Sequence, residues 1–386
     1  MTNSKMADRI SPSLTRKLFN MANEIGEDVI NLTLGDPDVL PPKEIREAAC
    51  DAIMLGKTRY SANAGLVEVR EAYASFFKEQ YEREISSNEN IIATVGGMEA
   101  LFLSIASIVN KDDEIIVLGP YYVNYFQMIR MFDGKPVVVD IFNKKDSEII
   151  ELVEKSITNK TKGIIINSPC NPTGEILSKN LIDSLADLII KNDLFVISDE
   201  VYSSLIYDNN KLESIYTREG MPQRTILIDS CSKRFAMTGW RIGFAVGPKE
   251  IISSMTKMQE NVAACAPLAS QYAAIKAYSG DFDYSYIRDT YQNRRDIVYN
   301  AIQESDCLKC NKPQATFYCF VDISSTGLNS EEFAYGLLKK KHVAVVPGIA
   351  YGEEYCNYIR IAFTLNDDLL REAMTRINDF CKDLKK

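Results

Sequence analysis

Between residues 91 and 246 the chain repeats one unit: a short apolar run, a turn or polar segment, and a helical stretch. The runs are IIATV (91–95), EIIVL (114–118), PVVVDI (136–141), GIIIN (163–167), LFVIS (194–198), TILID (225–229) and IGFAV (242–246). Continuous apolar runs of this length, without polar alternation, read as strands buried on both faces. Leu101, Phe102, Ile105, Ile108 and Val109 make one helical face between them, and Leu181, Ile182, Leu185, Leu188 and Ile189 make another behind a Ser178 cap. Strand, helix, strand at this spacing is the βαβ unit, so the expected fold is α/β, with a large domain built on a mostly parallel seven-stranded sheet covered by helices.

The two ends follow another pattern. Residues 316–322 and 357–363 alternate as half-exposed strands, and Leu369, Leu370, Ala373, Ile377, Phe380 and Leu384 line one face of a C-terminal helix. They predict a smaller α+β domain. With 386 residues, two to three times a typical domain, the chain divides as a large domain over 48–275, a discontinuous small domain over 12–47 and 276–386, and an N-terminal arm over 1–11.

Charge and rare residues exclude several kinds of function. Lys plus Arg number 44 against 53 Asp plus Glu, a net charge of -9 without basic clusters, so neither nucleic acid nor an anionic membrane is an expected partner. The longest apolar run, Leu101 to Val109, is far short of the roughly 18 residues of a membrane span, and the N-terminus lacks a secretory apolar core, which predicts a cytoplasmic protein. Nine scattered cysteines predict free thiols, and the single CxxC of Cys307 and Cys310 has no second pair in zinc spacing, so no metal is expected. His342 is the only histidine and no GxSxG is present, so a general base other than imidazole is expected. The GKT at 56–58 lacks the P-loop glycine upstream, where Asp51 stands.

In an open α/β sheet, ligands bind where the strands end. Here the strand ends lead into Gly96-Gly97-Met98-Glu99, GPYY, SPCNPTG, DEVY and SCSKRFAMTGWRIG. Any one of these has an ordinary reading as a turn. Together they offer a lysine, a carboxylate, a glycine turn for an anion, hydroxyls and aromatics, the combination that pyridoxal phosphate requires. SPCNPTG, SDEVY and SCSKRFAMTGWRIG resemble the class I/II aminotransferases, fold-type I pyridoxal-phosphate enzymes, and within them the aspartate, aromatic and alanine aminotransferase group; the resemblance runs from Ser11 to the C-terminal helix.

The resemblance implies a role for each matching residue. Lys233 would carry the cofactor and move the proton between substrate Cα and cofactor. Asp199 would face the pyridine nitrogen, with Glu200 pointing elsewhere. Asn171 and Tyr202 would bond the phenolic oxygen, and Tyr122 would stack on the ring, with Tyr121 as its neighbouring competitor. Gly97, Met98, Ser230, Ser232 and Arg241 would hold the phosphate, joined by Tyr60 from the partner subunit of a homodimer. Arg360 would bind the substrate carboxylate, with Asn171 and Gly35 beside it.

One position departs from the pattern. Aspartate-preferring relatives have a lysine directly after the Gly-Gly pair, where this chain has Met98. The expectation is therefore a ping-pong amino-acid aminotransferase favouring neutral or aromatic donors over aspartate, unless Arg234, Arg16 or Lys17 compensates. Aspartate aminotransferase is the alternative; a carbon-sulfur lyase on the same fold stands further behind.

Overall fold

Apolar runs with no polar face can be buried only inside a layered sheet, and that is where all seven lie. The structure is a computed structural model describing residues 3–11, 14–26 and 28–385, with the side chains of residues 15, 16, 23 and 25 outside that description. Its strands are β1 (Ile30–Asn31), β2 (Ile91–Thr94), β3 (Glu114–Gly119), β4 (Lys135–Asp140), β5 (Thr161–Asn167), β6 (Phe195–Asp199), β7 (Thr225–Ser230), β8 (Gly243–Val246), β9 (Tyr318–Asp322), β10 (Val343–Ala344), β11 (Val346–Pro347) and β12 (Tyr358–Ala362). The large sheet has the order β2-β8-β7-β6-β5-β3-β4. Only β8 runs against its neighbours, β2 and β7. The C-terminal ends of the other six therefore share one edge, and the residues just before β8 reach that edge from the opposite direction.

Helices cover both faces. On one, the helix Gly96–Ile108 packs Leu101 and Ile105 with Ile92, Ile165 and Ile228. On the other, the helix Lys179–Lys191 buries Leu181, Ile182, Leu185, Leu188 and Ile189 with Ile164 and Val196. Ser178 caps the latter by accepting the Leu181 N–H at 3.0 Å, as its position ahead of the apolar periodicity predicts.

The end segments form a second, three-stranded antiparallel sheet, β11-β12-β9. These strands are not half-exposed as their alternation suggested: Tyr318 to Val321 and Ile359 to Ala362 are all buried. One face packs Val321, Ile359 and Ile361 against the helices Ser285–Gln303, Ser330–Lys341 and Asp367–Leu384. The polar-looking alternation is made of aromatics and Arg360, and the other face lies under aromatic loops, where Phe320 stacks on Tyr358 at 4.9 Å beside Phe142 and Tyr355. On the C-terminal helix the apolar stripe runs through Leu370, Ala373, Met374, Ile377, Phe380 and Cys381, whereas Leu369 is exposed.

The N-terminal segment completes this unit. Leu32 N–H donates to Ala344 O at 2.9 Å and its carbonyl accepts from Ala362 N–H at 3.0 Å, so LTLGDPD is threaded beside β12. That pairing carries Gly35 and Asp36 over the edge of the large sheet.

Candidate active site

A cavity of about 410 Å³ opens at the shared strand edge. Its floor begins where β2 turns into the helix Gly96–Ile108. No side chain caps this helix at Val95, and Gly97 and Met98, in its first turn, line the cavity. First-turn N–H groups and the helix dipole favour an anion there. Gly96 has φ +74, and a Cβ on it would stand 2.6 Å from Arg241 Nη2, so the guanidinium can lie over the turn only because position 96 is glycine. Arg241 is itself held in the left-handed region at φ 55, uncommon without a glycine, and donates from Nη1 to Thr238 O at 2.8 Å. Ser230 and Ser232 close this end, with hydroxyls 2.9 Å apart at the turn after β7.

Asp199 ends β6 in the middle of the cavity, 4% exposed. It accepts the Tyr125 hydroxyl at 2.6 Å, and burial pushes its carboxyl up to about 6 against that hydrogen bond. Asn167, at the end of β5, bridges two motifs: Nδ2 donates to Asp199 O at 3.1 Å and Oδ1 accepts the Asn171 N–H at 2.9 Å. Of the adjacent tyrosines, Tyr122 lines the cavity, whereas Tyr121 stacks on Phe126 at 4.1 Å. Glu200 points away from the cavity, accepting from Tyr81, Ser198 and Ser214, and burial pushes its carboxyl up to about 7.

Lys233 follows β7 and donates from Nζ to Gly35 O at 2.7 Å. Burial, opposed by Asp36 and aided by Arg241 and Arg360, brings its amine down to about 8. Arg360 enters from β12, 4% exposed, donating to Asn171 Oδ1 at 3.1 Å and to Thr33 O. Its guanidinium lies 4.1 Å from the Tyr318 ring centre, and among the described residues its buried Nε has no hydrogen-bond partner. The Tyr202 hydroxyl donates to Tyr318 Oη at 3.2 Å.

Of the positions expected from the sequence, Gly35, Gly97, Met98, Tyr122, Asn171, Asp199, Tyr202, Ser230, Ser232, Lys233, Arg241 and Arg360 line this one cavity. Tyr60 does not; it is 88% exposed, in a separate surface groove with Val95 and Pro267. Arg234 turns the other way, to Ser203 and Asp229, and so cannot reach a substrate in the cavity. Lys17 lies exposed over the Tyr335 ring, and the Arg16 side chain is outside the described residues. His342 sits at a helix end beside Asp28. Sequence reasoning missed Tyr125, Asn167 and Tyr318. Asn167 was visible as a polar residue ending a strand; Tyr125 lies inside the helix Asn124–Met131, and Tyr318 was hidden in a strand assigned only to the small domain.

The family model for Aminotransferase class I and II matches residues 27–377. The chain belongs to this family. It is 39% identical to an aspartate aminotransferase of Pyrococcus abyssi and 36% identical to aromatic-amino-acid aminotransferase 2 of Thermococcus litoralis, each alignment covering 100% of both chains. A solved aspartate aminotransferase of Thermus thermophilus with maleate superimposes with a TM-score of 0.93 at 32% identity, covering 98% of this chain and 100% of that one. Class I and II aminotransferases depend on pyridoxal phosphate, and homodimers are typical of them.

The charges of this aminotransferase fit that cofactor and an amino-acid substrate. Asp199, Arg241 and Arg360 make no ion pair among the described residues. A buried charge left uncompensated is costly. Protonated pyridine nitrogen, phosphate and α-carboxylate are the three counter-charges that would meet them. Among the described residues no helix is long and apolar enough to cross a membrane and no cluster could hold a metal.

Proposed function

We propose that this aminotransferase favours neutral or aromatic amino donors over aspartate. The observation carrying this reading is the cation count. Lys233, Arg241 and Arg360 are the only lysines and arginines among the residues lining the cavity. Each has a use in any transamination, so none is left for a second carboxylate. Met98 stands where one could be, its sulfur 3.5 Å from Asn124 Nδ2. A thioether cannot compensate a desolvated carboxylate. The Pyrococcus abyssi relative favours the other reading, aspartate. Ratios of kcat/KM for phenylalanine, alanine, glutamate and aspartate with a fixed 2-oxo acid separate the two; a tenfold preference for aspartate, about 1.4 kcal/mol, would overturn ours.

When bound, pyridoxal phosphate supplies the aldehyde that receives the amino group and the ring that takes up the electron pair freed at Cα. The chain's residues do the rest. Arg360 offers a planar fork to the carboxylate, held in place by Asn171 and Thr33 and stacked on Tyr318. Lys233, with an amine brought down to about 8, has a substantial neutral fraction near neutral pH and can take the proton from Cα and return it to the other carbon. Asp199, ionised above about 6 and fixed by Tyr125, would hold a proton on the pyridine nitrogen. Gly97, Met98, Ser230, Ser232 and Arg241 would hold the phosphate, Tyr122 would cover the ring, and Asn171 and Tyr202 would bond its phenolic oxygen.

The same reading extends to the assembly. Tyr60, outside its own subunit's cavity, completes the phosphate site of a partner in a homodimer. The cofactor belongs to a large domain over 48–275, and a small domain over 12–47 and 276–386 brings Gly35 and Arg360 to it, after an arm over 1–11. Nine free cysteines accord with a cytoplasmic location.

A further inference from the structure

Behind the catalytic cavity lies a second one, of about 310 Å³, where the chain crosses from the helix Leu268–Ser279 to the helix Ser285–Gln303. Ser203, Ser204, Arg234, Asp283 and Arg288 line it, with Phe282 as an apolar wall. The two cavities share the same stretches of backbone: Tyr202 and Lys233 line the first, and their successors Ser203 and Arg234 line the second.

Arg234 is 3% exposed. It lies 4.5 Å from the Phe76 ring centre and meets Ser203 Oγ at 2.8 Å and Asp229 Oδ2 at 3.4 Å. Both hydrogen bonds leave from Nη2. Among the described residues the buried Nε has no hydrogen-bond partner, and neither has the buried Ser204 hydroxyl. A guanidinium carries five donors in a fixed plane, and these two partners take the pair on Nη2. Arg288 pairs with Asp289 through Nε and Nη2, and Asp283 accepts the Ser285 N–H at 2.8 Å. The lining charges are therefore two guanidiniums against one carboxylate, with Asp229 and Asp289 each held on one side of its arginine.

We propose that this cavity is a second binding site, for a small molecule bearing a carboxylate, which docks between the guanidiniums of Arg234 and Arg288 that line it. Two guanidiniums suit a carboxylate, and the volume suits an amino acid or a 2-oxo acid. Because the backbone between the cavities is shared, the occupant lies back to back with the catalytic lysine without touching substrate.

The test is fluorine NMR titration of the holoenzyme with 3-(4-fluorophenyl)propanoate, using its amide as the uncharged control. Wild type should bind two equivalents per subunit and take up none of the amide at the second site. Arg360→Lys should weaken one event and leave the other. Ser204→Phe, which fills the second cavity, should weaken the remaining event by about tenfold or more while leaving turnover unchanged, and the exposed Arg288→Ala should weaken it roughly threefold or more even if the bulky variant fails to fold. A single equivalent in wild type, or a second event insensitive to both variants, overturns the site. The readout is binding, so it stands apart from which donor the catalytic cavity prefers. Repeating the titration with 4-fluoro-D-phenylalanine separates an amino acid from an oxo acid as the occupant, since only the former can also engage Asp283.

Discussion

The two ends of the catalytic cavity are built differently. The end proposed to receive phosphate and ring is made from consecutive strand ends of one sheet: Gly97 after β2, Tyr122 after β3, Asn171 after β5, Asp199 at β6, Ser230 to Lys233 after β7 and Arg241 before β8. The end proposed to receive the substrate carboxylate is assembled from residues far apart in the chain: Thr33 to Asp36, Tyr318 and Arg360. The first is a property of one sheet edge. The second exists only where two sheets meet. Damage to the first should therefore lower turnover with every donor, and damage to the second should act on binding and choice.

The largest effect is expected at Lys233. Lys233→Ala should lower kcat by about 10⁴-fold or more for all donors while the circular dichroism of the protein is retained, because no other amine lines the cavity. Asp199→Asn should follow with a loss of about 10²- to 10³-fold in kcat, again independent of donor. Equal rates in wild type and the asparagine variant would reduce Asp199 to a strand-end carboxylate. Across the cavity, Arg360→Lys keeps the charge but loses the fork, and should raise KM roughly 10- to 100-fold for all donors, with a smaller change in kcat. If kcat falls as far as in the Asp199 variant, the two ends are not separable. Met98→Lys leaves the first-turn backbone N–H in place and changes only the side chain, so it should have the smallest effect and the most selective one: about tenfold in kcat/KM toward aspartate relative to phenylalanine, at little cost to kcat.

Acidity sharpens the same contrast. In cofactor-free protein the Lys233 amine is brought down to about 8, below the ordinary lysine value of 10.5. Only the neutral amine reacts with an acylating reagent, so labelling of Lys233 should rise with pH and be half-maximal near 8, well before the exposed lysines. Peptide mapping across a pH series measures this. Labelling that rises only above pH 10 would mean that the cavity admits bulk water and does not prepare the amine.

This difference in construction also decided what could be read from the sequence. All seven strands of the large sheet were legible, because burial on both faces leaves an unbroken apolar run, and their ends then pointed to the residues of the phosphate and ring end. β9 and β12 were legible as strands but not in their burial: tyrosine, phenylalanine and arginine looked like a wet face, and only the stacking of Phe142, Tyr355 and Tyr358 over it shows otherwise. Tyr318 was lost for the same reason. Arg234 looked available to substrate because it follows Lys233, yet successive residues in a short helix point about 100° apart, and this one turns to Asp229. No local pattern encodes that choice.

The pairing of Leu32 with Ala344 and Ala362 has a consequence for the order in which the enzyme comes into being. During synthesis every residue of the phosphate and ring end has left the ribosome by Arg241, whereas Gly35, made long before, has no strand to lie against until residues 343–362 emerge. A nascent chain halted near residue 300 carries its own share of the proposed anion cradle and no place for a substrate carboxylate. Cofactor capture can thus precede the ability to bind an amino acid by about a hundred residues of translation, some 5 to 20 seconds at usual elongation rates, and the last strand added is the one that admits substrate.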